Sequence, residues 1–132
     1  MNEGLEGLGS LLLVSEEPHS VWSQLLREAV SDQAVVEVAT EEEAATAPIR
    51  AWYDLILVDA GSVRDVTALV YRLRAQRAQV RIVVVTASPT WRRAREALQA
   101  GAVDYFRKSL DRVELRARIE SALLLVPPPW PR

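Results

Sequence analysis

The sequence predicts a doubly wound α/β fold, in which a five-stranded parallel sheet carries helices on both faces. Short apolar runs alternate five times with segments of helical period. Continuous apolar runs are typical of strands buried on both faces, and strand–helix alternation favours parallel strands joined by crossover helices. The 132 residues, 49% of them hydrophobic, suffice for one domain with a real core.

The first half of the chain supplies three strands and two helices. Pro18 is expected to open the first helix, because a missing N–H costs nothing at the first helical position. Thr40 and Glu43 have the spacing of a capping box and predict a short second helix that ends before Pro48. The first helix presents apolar residues at the helical period, including Trp22 as a core residue. The predicted strands are residues 11–14, 35–38 and 55–58.

The second half supplies two strands and three helices. Ser88 and Pro89 have the order of an N-cap and a first helical residue, and predict the start of the fourth helix. Gly101 suits the left-handed stop of that helix. Asp111 with Glu114 predicts the cap of the fifth helix. The remaining elements are a helix over about residues 64–77 and strands at residues 81–85 and 103–106.

The domain organisation follows from the ends of the chain. Residues 10–126 are expected to form the domain, after a flexible N-terminus at residues 1–9. Residues 127–132 are rich in proline and are expected to form a stiff linker that could lead to an output domain. The chain lacks cysteine, a basic leader and an apolar run long enough to span a bilayer, so we expect a cytoplasmic protein without membrane contact.

Charge is distributed unevenly along the chain. Residues 1–60 hold 12 acids and 2 bases, whereas residues 61–132 hold 6 acids and 14 bases. This layout predicts a negative region opposite a positive one. Lys108 is the only lysine of the chain, which has fifteen arginines. A single lysine is expected at a site that needs a compact point charge. It is also expected by chance in an arginine-rich composition.

Polar residues follow four of the predicted strands. Ligands of doubly wound sheets bind beyond the carboxyl ends of the strands, where the strand order reverses. In the order 2-1-3-4-5, Glu16 and Asp59 would face one crevice, with Thr86 and Lys108 on its other side. Two carboxylates suit Mg²⁺, whereas a hydroxyl and an ammonium suit a phosphoryl group. An aspartate placed there can act as a nucleophile.

Four stretches in order carry a family resemblance: LLLVSEEP (11–18), YDLILVDA (53–60), VRIVVVTAS (80–88) and GAVDYFRKSL (101–110). Over residues 10–125 the chain resembles the receiver domain of bacterial two-component response regulators. The resemblance implies a flavodoxin-like sheet of order 2-1-3-4-5. It also implies a phosphoprotein of a phosphorelay that is not an enzyme and is modified by a histidine kinase or phosphotransfer protein.

The resemblance implies a role for individual residues. Asp59 matches the phosphoacceptor, Lys108 the phosphate-contacting lysine and Thr86 the switch hydroxyl, with Tyr105 as the aromatic that follows it. The magnesium ligands would be Glu16, Asp59 and the carbonyl of Gly61, and the backbone donors to phosphate would be Ala60 and Ala87.

Two departures from the family pattern bear on the metal and on the lysine. Ser15 stands where the family has an acid, so one negative charge is lost and Mg²⁺ should bind weakly. Ser109 follows the lysine where the family has a cis proline, and a cis bond before serine costs a few kcal/mol more than one before proline. An alternative function is therefore a phosphorylation-independent pseudo-receiver that acts as a protein-interaction module. A flavin-binding enzyme is less well supported, since Glu16 and Glu17 would repel a phosphate.

The fourth helix, fifth strand and fifth helix form the expected output face. Their sequence resembles receivers fused to winged-helix DNA-binding domains, which implies a role in transcription regulation. In that class this face dimerises through ion pairs, and Asp104, Glu114 and Arg118 fall on the matching positions. A solvated basic face without a partner remains the alternative. No direct nucleic acid contact by this domain is expected, because the sequence lacks a recognition-helix motif.

Overall fold

The computed structural model describes residues 9–46 and 52–129, which form one parallel sheet with helices on both faces. The strands are β1 (Gly9–Val14), β2 (Ala34–Ala39), β3 (Leu55–Asp59), β4 (Ile82–Thr86) and β5 (Asp104–Arg107). The helices are α1 (Val21–Val30), α2 (Glu41–Thr46), α3 (Val66–Gln76), α4 (Trp91–Ala100) and α5 (Arg112–Ala122). All four strand pairs are parallel, in the order β2-β1-β3-β4-β5. The predicted fold class and strand order are confirmed.

The alternation of side chains along the strands divides the core into two layers. Leu11 and Leu13 of β1 point to one face, where they join the apolar residues of α1 and α5. Leu12 and Val14 point to the other face and join those of α2, α3 and α4. Every residue of β3 and β4 is buried, which explains their unbroken apolar sequences. The packed core therefore fixes the position of the carboxyl ends of the central strands.

Two helices begin later than the sequence predicted. Helix α1 is capped by Ser20 rather than opened by Pro18, and helix α4 is capped by Thr90 rather than by the Ser88–Pro89 pair. In each case the hydroxyl of the later residue accepts a hydrogen bond from the backbone N–H three residues on, at 3.1 Å for Ser20 and 3.2 Å for Thr90. That contact satisfies a free donor of the first turn, and both prolines lie in the preceding loops.

The other predicted caps are confirmed. Thr40 Oγ1 accepts the Glu43 N–H at 3.1 Å, and Glu43 Oε1 accepts the Thr40 N–H at 2.8 Å. The Asp111 carboxylate accepts two N–H groups at the start of α5. Gly101 ends α4 with φ of 121°, in the positive range that favours glycine.

The segment after α5 is attached to the body of the domain. The Arg74 guanidinium is fully buried and donates to the carbonyl of Pro128, while Arg81 Nε donates to the carbonyl of Leu125 at 2.8 Å. Strand β1 begins at Gly9, one residue before the expected domain start. Residues 1–8 and 130–132 of the expected flanking segments lie outside the described residues, and the domain boundaries stay predictions.

Candidate functional site

The polar residues predicted at the strand ends lie together at the carboxyl edge of the sheet. Asp59 is the last residue of β3 and Thr86 the last of β4, and only 2% and 4% of their surfaces are exposed. Lys108 follows β5, and its backbone N–H donates to the Thr86 carbonyl at 2.8 Å. The ladder between β4 and β5 thereby brings the only lysine of the chain beside the end of β3.

Both oxygens of the Asp59 carboxylate are bonded to donors of the chain itself. Lys108 Nζ lies 2.8 Å from Oδ1, and the Gly61 N–H donates to the same oxygen at 3.1 Å. Ser15 Oγ donates to Oδ2 at 3.0 Å. The Lys108 side chain is 20% exposed, so this ion pair is partly shielded from water. The Asp59 carboxylate thus has one cation and two neutral donors as partners.

Ser15 forms the centre of a small hydroxyl network. Its Oγ donates to Asp59 and accepts the backbone N–H of Glu17 at 3.0 Å. The hydroxyl of Ser62 lies 3.3 Å from that of Ser15 and accepts the Glu16 N–H at 3.0 Å. The serine at the family's acidic position therefore acts as a hydrogen-bond donor to Asp59, where a second carboxylate would repel it.

The Glu16 carboxylate contacts the start of α2. Its Oε2 accepts the backbone N–H of Glu41 at 2.8 Å, at the first residue of α2. The partial positive charge of a helix N-terminus attracts a carboxylate, which explains this contact. The Glu41 carboxylate in turn accepts the N–H groups of Arg64 and Asp65, at 2.8 and 3.1 Å. Glu16 therefore links the β1–α1 loop to α2.

The residues predicted to hold magnesium are bonded to groups of the chain itself in this arrangement. Mg²⁺ needs oxygen ligands in near-octahedral geometry. The Asp59 oxygens accept bonds from Ser15, Gly61 and Lys108, and the Glu16 carboxylate accepts the N–H of Glu41. Across residues 9–46 and 52–129, no group of three or more aspartate, glutamate, histidine or cysteine side chains could hold a metal ion. The ligand set of Glu16, Asp59 and the Gly61 carbonyl stays a prediction.

Ala60 and Ala87, the two residues predicted to donate a backbone N–H to phosphate, have different surroundings. The Ala60 N–H donates to the Val85 carbonyl at 2.9 Å, because the chain after β3 continues to pair with β4. Ala60 is therefore corrected from a phosphate donor to a member of the sheet ladder. Ala87 follows β4 and is exposed, as a donor to a bound group requires.

Thr86 and Tyr105 both contact the loop before α4. The Thr86 hydroxyl accepts the Ser88 N–H at 3.1 Å, and the Tyr105 hydroxyl accepts the Thr90 N–H at 3.2 Å. Tyr105 also lines a cavity of about 290 Å³ between α3 and α4, together with Arg93. The two residues are thus joined through one loop.

The predicted dimer residues make contacts within the chain. Asp104 Oδ1 accepts the Tyr105 N–H at 2.8 Å, and Glu114 Oε1 accepts the Ser109 hydroxyl at 2.8 Å. The Arg118 guanidinium lies over the Phe106 ring, 4.8 Å from its centroid. Both Glu114 and Arg118 are exposed, so these contacts leave them on the surface.

The sequence analysis missed two residues of the site. Ser62 is three positions beyond Asp59, and nothing in its spacing distinguishes it from an ordinary loop serine. Trp22 was assigned to the core by its helical period, and it is buried, but the ammonium of Lys108 also lies 5.3 Å from its ring centroid. Because Trp22 and Lys108 are 86 positions apart in the sequence, no local sequence pattern reveals their contact.

Comparison with known proteins agrees with this geometry. The family model of the response regulator receiver domain matches residues 12–120. The chain belongs to the response regulator receiver domain family. Among curated proteins, none matches this sequence. Receiver domains are signalling domains of two-component systems, and the expected family is confirmed.

Solved structures share the receiver fold. HP1043, an orphan response regulator of H. pylori, is 23% identical with a TM-score of 0.76, covering 89% of this chain and 98% of that one. A response regulator from Thermotoga maritima is 25% identical with a TM-score of 0.73, covering 87% and 97%. The receiver domain of the sensor histidine kinase PA1611 from Pseudomonas aeruginosa PAO1 is 27% identical with a TM-score of 0.71, covering 86% and 96%. That structure has a magnesium ion coordinated in its active site cleft.

The helices of this receiver domain are short. None in the part of the chain that the structure describes is both long and apolar enough to cross a membrane.

Proposed function

We propose that this receiver domain accepts a phosphoryl group on Asp59 from a histidine kinase or phosphotransfer protein. One observation carries the proposal: Lys108 Nζ lies 2.8 Å from Asp59 Oδ1 at a buried strand end, beside the strand that ends in Thr86. A carboxylate, an ammonium and a hydroxyl are the groups that attack, neutralise and hydrogen-bond a transferring phosphoryl group. The family membership supports this role, since receiver domains act in two-component signalling.

The chemistry assigned to each residue is simple. A carboxylate oxygen of Asp59 forms a bond to phosphorus, while the bond from phosphorus to the donor nitrogen or oxygen breaks and the donor keeps the electron pair. Lys108 neutralises the charge on the phosphoryl oxygens, and the Thr86 hydroxyl donates a hydrogen bond to one of them after releasing the Ser88 N–H. The exposed Ala87 supplies a backbone N–H.

We also propose that the domain binds Mg²⁺ weakly. A cation held by both Glu16 and Asp59 would compete with the N–H of Glu41 for the Glu16 carboxylate. It would also compete with the Ser15 hydroxyl for the Asp59 carboxylate. Both contacts oppose binding, so we expect a dissociation constant of roughly 1 mM or weaker, which corresponds to about −4 kcal/mol.

Intact mass spectrometry after treatment with acetyl phosphate tests the proposal. With Mg²⁺ present, the wild type should gain one phosphoryl group, and Asp59→Asn should gain none. Asp54→Asn is the matched control. Asp54 accepts the Ser10 N–H, and it precedes β3, at the end of that strand opposite to Asp59. An unmodified wild type, or a modified Asp59→Asn variant, would contradict the assignment.

The proposed output is a change in the face formed by α4, β5 and α5. Thr86 and Tyr105 both bond to the β4–α4 loop, so a movement of the Thr86 hydroxyl alters the start of α4. The same face carries Asp104, Glu114 and Arg118, which we propose pair with a second copy. Formation of such pairs requires Glu114 to release the Ser109 hydroxyl. Modification should therefore increase self-association.

A phosphorylation-independent interaction module is the second candidate function. It is favoured by the three contacts that the Asp59 carboxylate makes within the chain, with Ser15, Gly61 and Lys108. Beryllofluoride, a mimic of the phosphoryl group, separates the two candidates. A switching domain shifts the backbone NMR signals from Thr86 to Tyr105 and along α4. Signals that stay in place would favour the interaction module.

A further inference from the structure

The ammonium of Lys108 contacts two groups. It lies 2.8 Å from the Asp59 carboxylate, and it lies over the Trp22 ring at 5.3 Å from the centroid. A cation over an indole face is attracted by the ring quadrupole, and indole binds cations best among the aromatic side chains. The lysine stem is flexible and loses rotamer freedom when its end is fixed. Two contacts define its position better than the ion pair alone.

Trp22 is itself held rigidly. It lies in the first turn of α1, where the Ser20 hydroxyl caps the helix and Ser23 Oγ donates to the Glu17 carbonyl at 2.8 Å. Only 5% of its surface is exposed, and it belongs to the same buried cluster as Leu13 and Leu26. The ring therefore forms a fixed wall of the site on the side of α1.

The indole nitrogen of Trp22 gives an independent reason to assign a role to the ring. Its Nε1 is buried and has no hydrogen-bond partner among the described residues. Buried tryptophan N–H groups usually find a partner, and an unpartnered one costs its desolvation free energy. Phenylalanine would fill apolar space without that cost. What tryptophan adds here is the more electron-rich face, and that face is turned to Lys108.

We propose that Trp22 is a positioning residue for Lys108. It keeps the ammonium at the end of β3, both beside the ionised Asp59 and after the charge on that residue changes. The ring interacts with the lysine through its quadrupole, which phosphorylation leaves unchanged, while the Asp59 ion pair depends on the carboxylate. The catalytic part of this inference rests on the proposed phosphorylation of Asp59, whereas the geometric part stands by itself.

The single lysine of the chain makes the geometric part directly measurable. Lysine labelled with ¹³C gives one set of side-chain NMR signals. In the wild type the ε-methylene protons should be shifted upfield by the ring. Trp22→Phe should reduce the shift and Trp22→Leu should abolish it. Trp52→Leu is the matched control, since Trp52 also contacts a cation, Arg77 at 5.4 Å, but lies before β3 at the opposite end of that strand.

The rate of modification by acetyl phosphate tests the catalytic part. Relative to wild type, Trp22→Leu should react roughly three- to tenfold more slowly and Trp22→Phe less slowly than that, with Trp52→Leu unchanged. Unshifted lysine signals in wild type, or equal signals in wild type and the folded Trp22→Phe, would overturn the contact. Equal rates in an active wild type and Trp22→Leu would overturn the positioning role. A wild type that is never modified, yet shows the shifted lysine signals, would refute the phosphorylation and leave the contact established.

Discussion

Gly101→Ala tests how the end of α4 is packed. Gly101 adopts φ of 121°, a conformation that side chains of L-residues rarely adopt. A Cβ atom added there would lie 3.0 Å from Arg74 Nη1 and 3.1 Å from Arg74 Cγ. Arg74 is fully buried and cannot turn into solvent, since its guanidinium donates to the carbonyls of Ala78 at 3.0 Å and Gly101 at 2.6 Å. The substitution therefore strains the backbone and displaces a buried cation.

The two effects can be estimated separately. A residue held at an unfavourable backbone conformation costs about 1–3 kcal/mol. Displacing Arg74 weakens at least one hydrogen bond to a charged group, which contributes about 1.5–3 kcal/mol. The sum is roughly 2.5–6 kcal/mol, a large share of the stability of about 5–15 kcal/mol that is usual for one domain. Because α4 and α3 meet through this arginine, the loss should appear in the global unfolding transition.

Urea unfolding followed by circular dichroism measures this loss. The midpoint for Gly101→Ala should fall by about 1–3 M, given a slope of about 2 kcal/mol/M, the middle of the usual range for urea. Gly61→Ala is the control, because an added Cβ there meets only Asp59 Oδ1, at the ordinary contact distance of 3.5 Å, and Gly61 has no positive φ. It should change the midpoint little. Equal midpoints for the two variants would refute the argument from Arg74 and backbone strain.

Two further predictions concern charge. Ser15→Asp restores a carboxylate beside Asp59, so calorimetric titration should show tighter Mg²⁺ binding than in wild type; no gain would count against a cation site at Asp59. The hydrogen bond from Arg116 lowers the pKa of Asp32 below 3.8, despite the opposing effect of desolvation. Because the pKa of Asp32 is lower in the folded state than in the unfolded state, the pair stabilises the fold at pH values above the unfolded-state pKa. This stabilisation is lost as the pH falls through the folded-state pKa. Asp32→Asn should therefore lose less stability than wild type on acidification below pH 3.8, and an identical pH profile would show that the pair does not contribute.

Most of the fold could be predicted because strands and helices have different periods. The apolar runs of β3 and β4 and the reciprocal bonds of Thr40 and Glu43 need only local sequence. The predicted start of α4 was wrong because Ser88 and Thr90 both carry a hydroxyl that could cap the helix. The Ser88 N–H donates back to Thr86 and closes a turn, so the helix begins after Thr90 instead. Sequence order alone does not reveal which hydroxyl the loop directs to the first turn.

The site was predictable at the level of strand ends but not of side-chain direction. The order of the strands brings Asp59, Thr86 and Lys108 together. The direction of Glu16 depends on the distant N-terminus of α2, which offers a free N–H and a favourable dipole. The cation-binding face of Trp22 likewise depends on how α1 packs beside α5, and both features are decided by tertiary contacts.

The serine at position 15, in place of an acid, changes how the Asp59 carboxylate is held. A second carboxylate would place repelling charges side by side, and a cation would relieve that repulsion. With Ser15, the Asp59 oxygens instead accept bonds from a hydroxyl, an N–H and an ammonium. A ligand shifts an equilibrium only by its differential affinity for the two states. Each charged hydrogen bond that it displaces opposes it by about 1.5–3 kcal/mol. We therefore expect Ser15 to weaken cation binding relative to an acid at the same position.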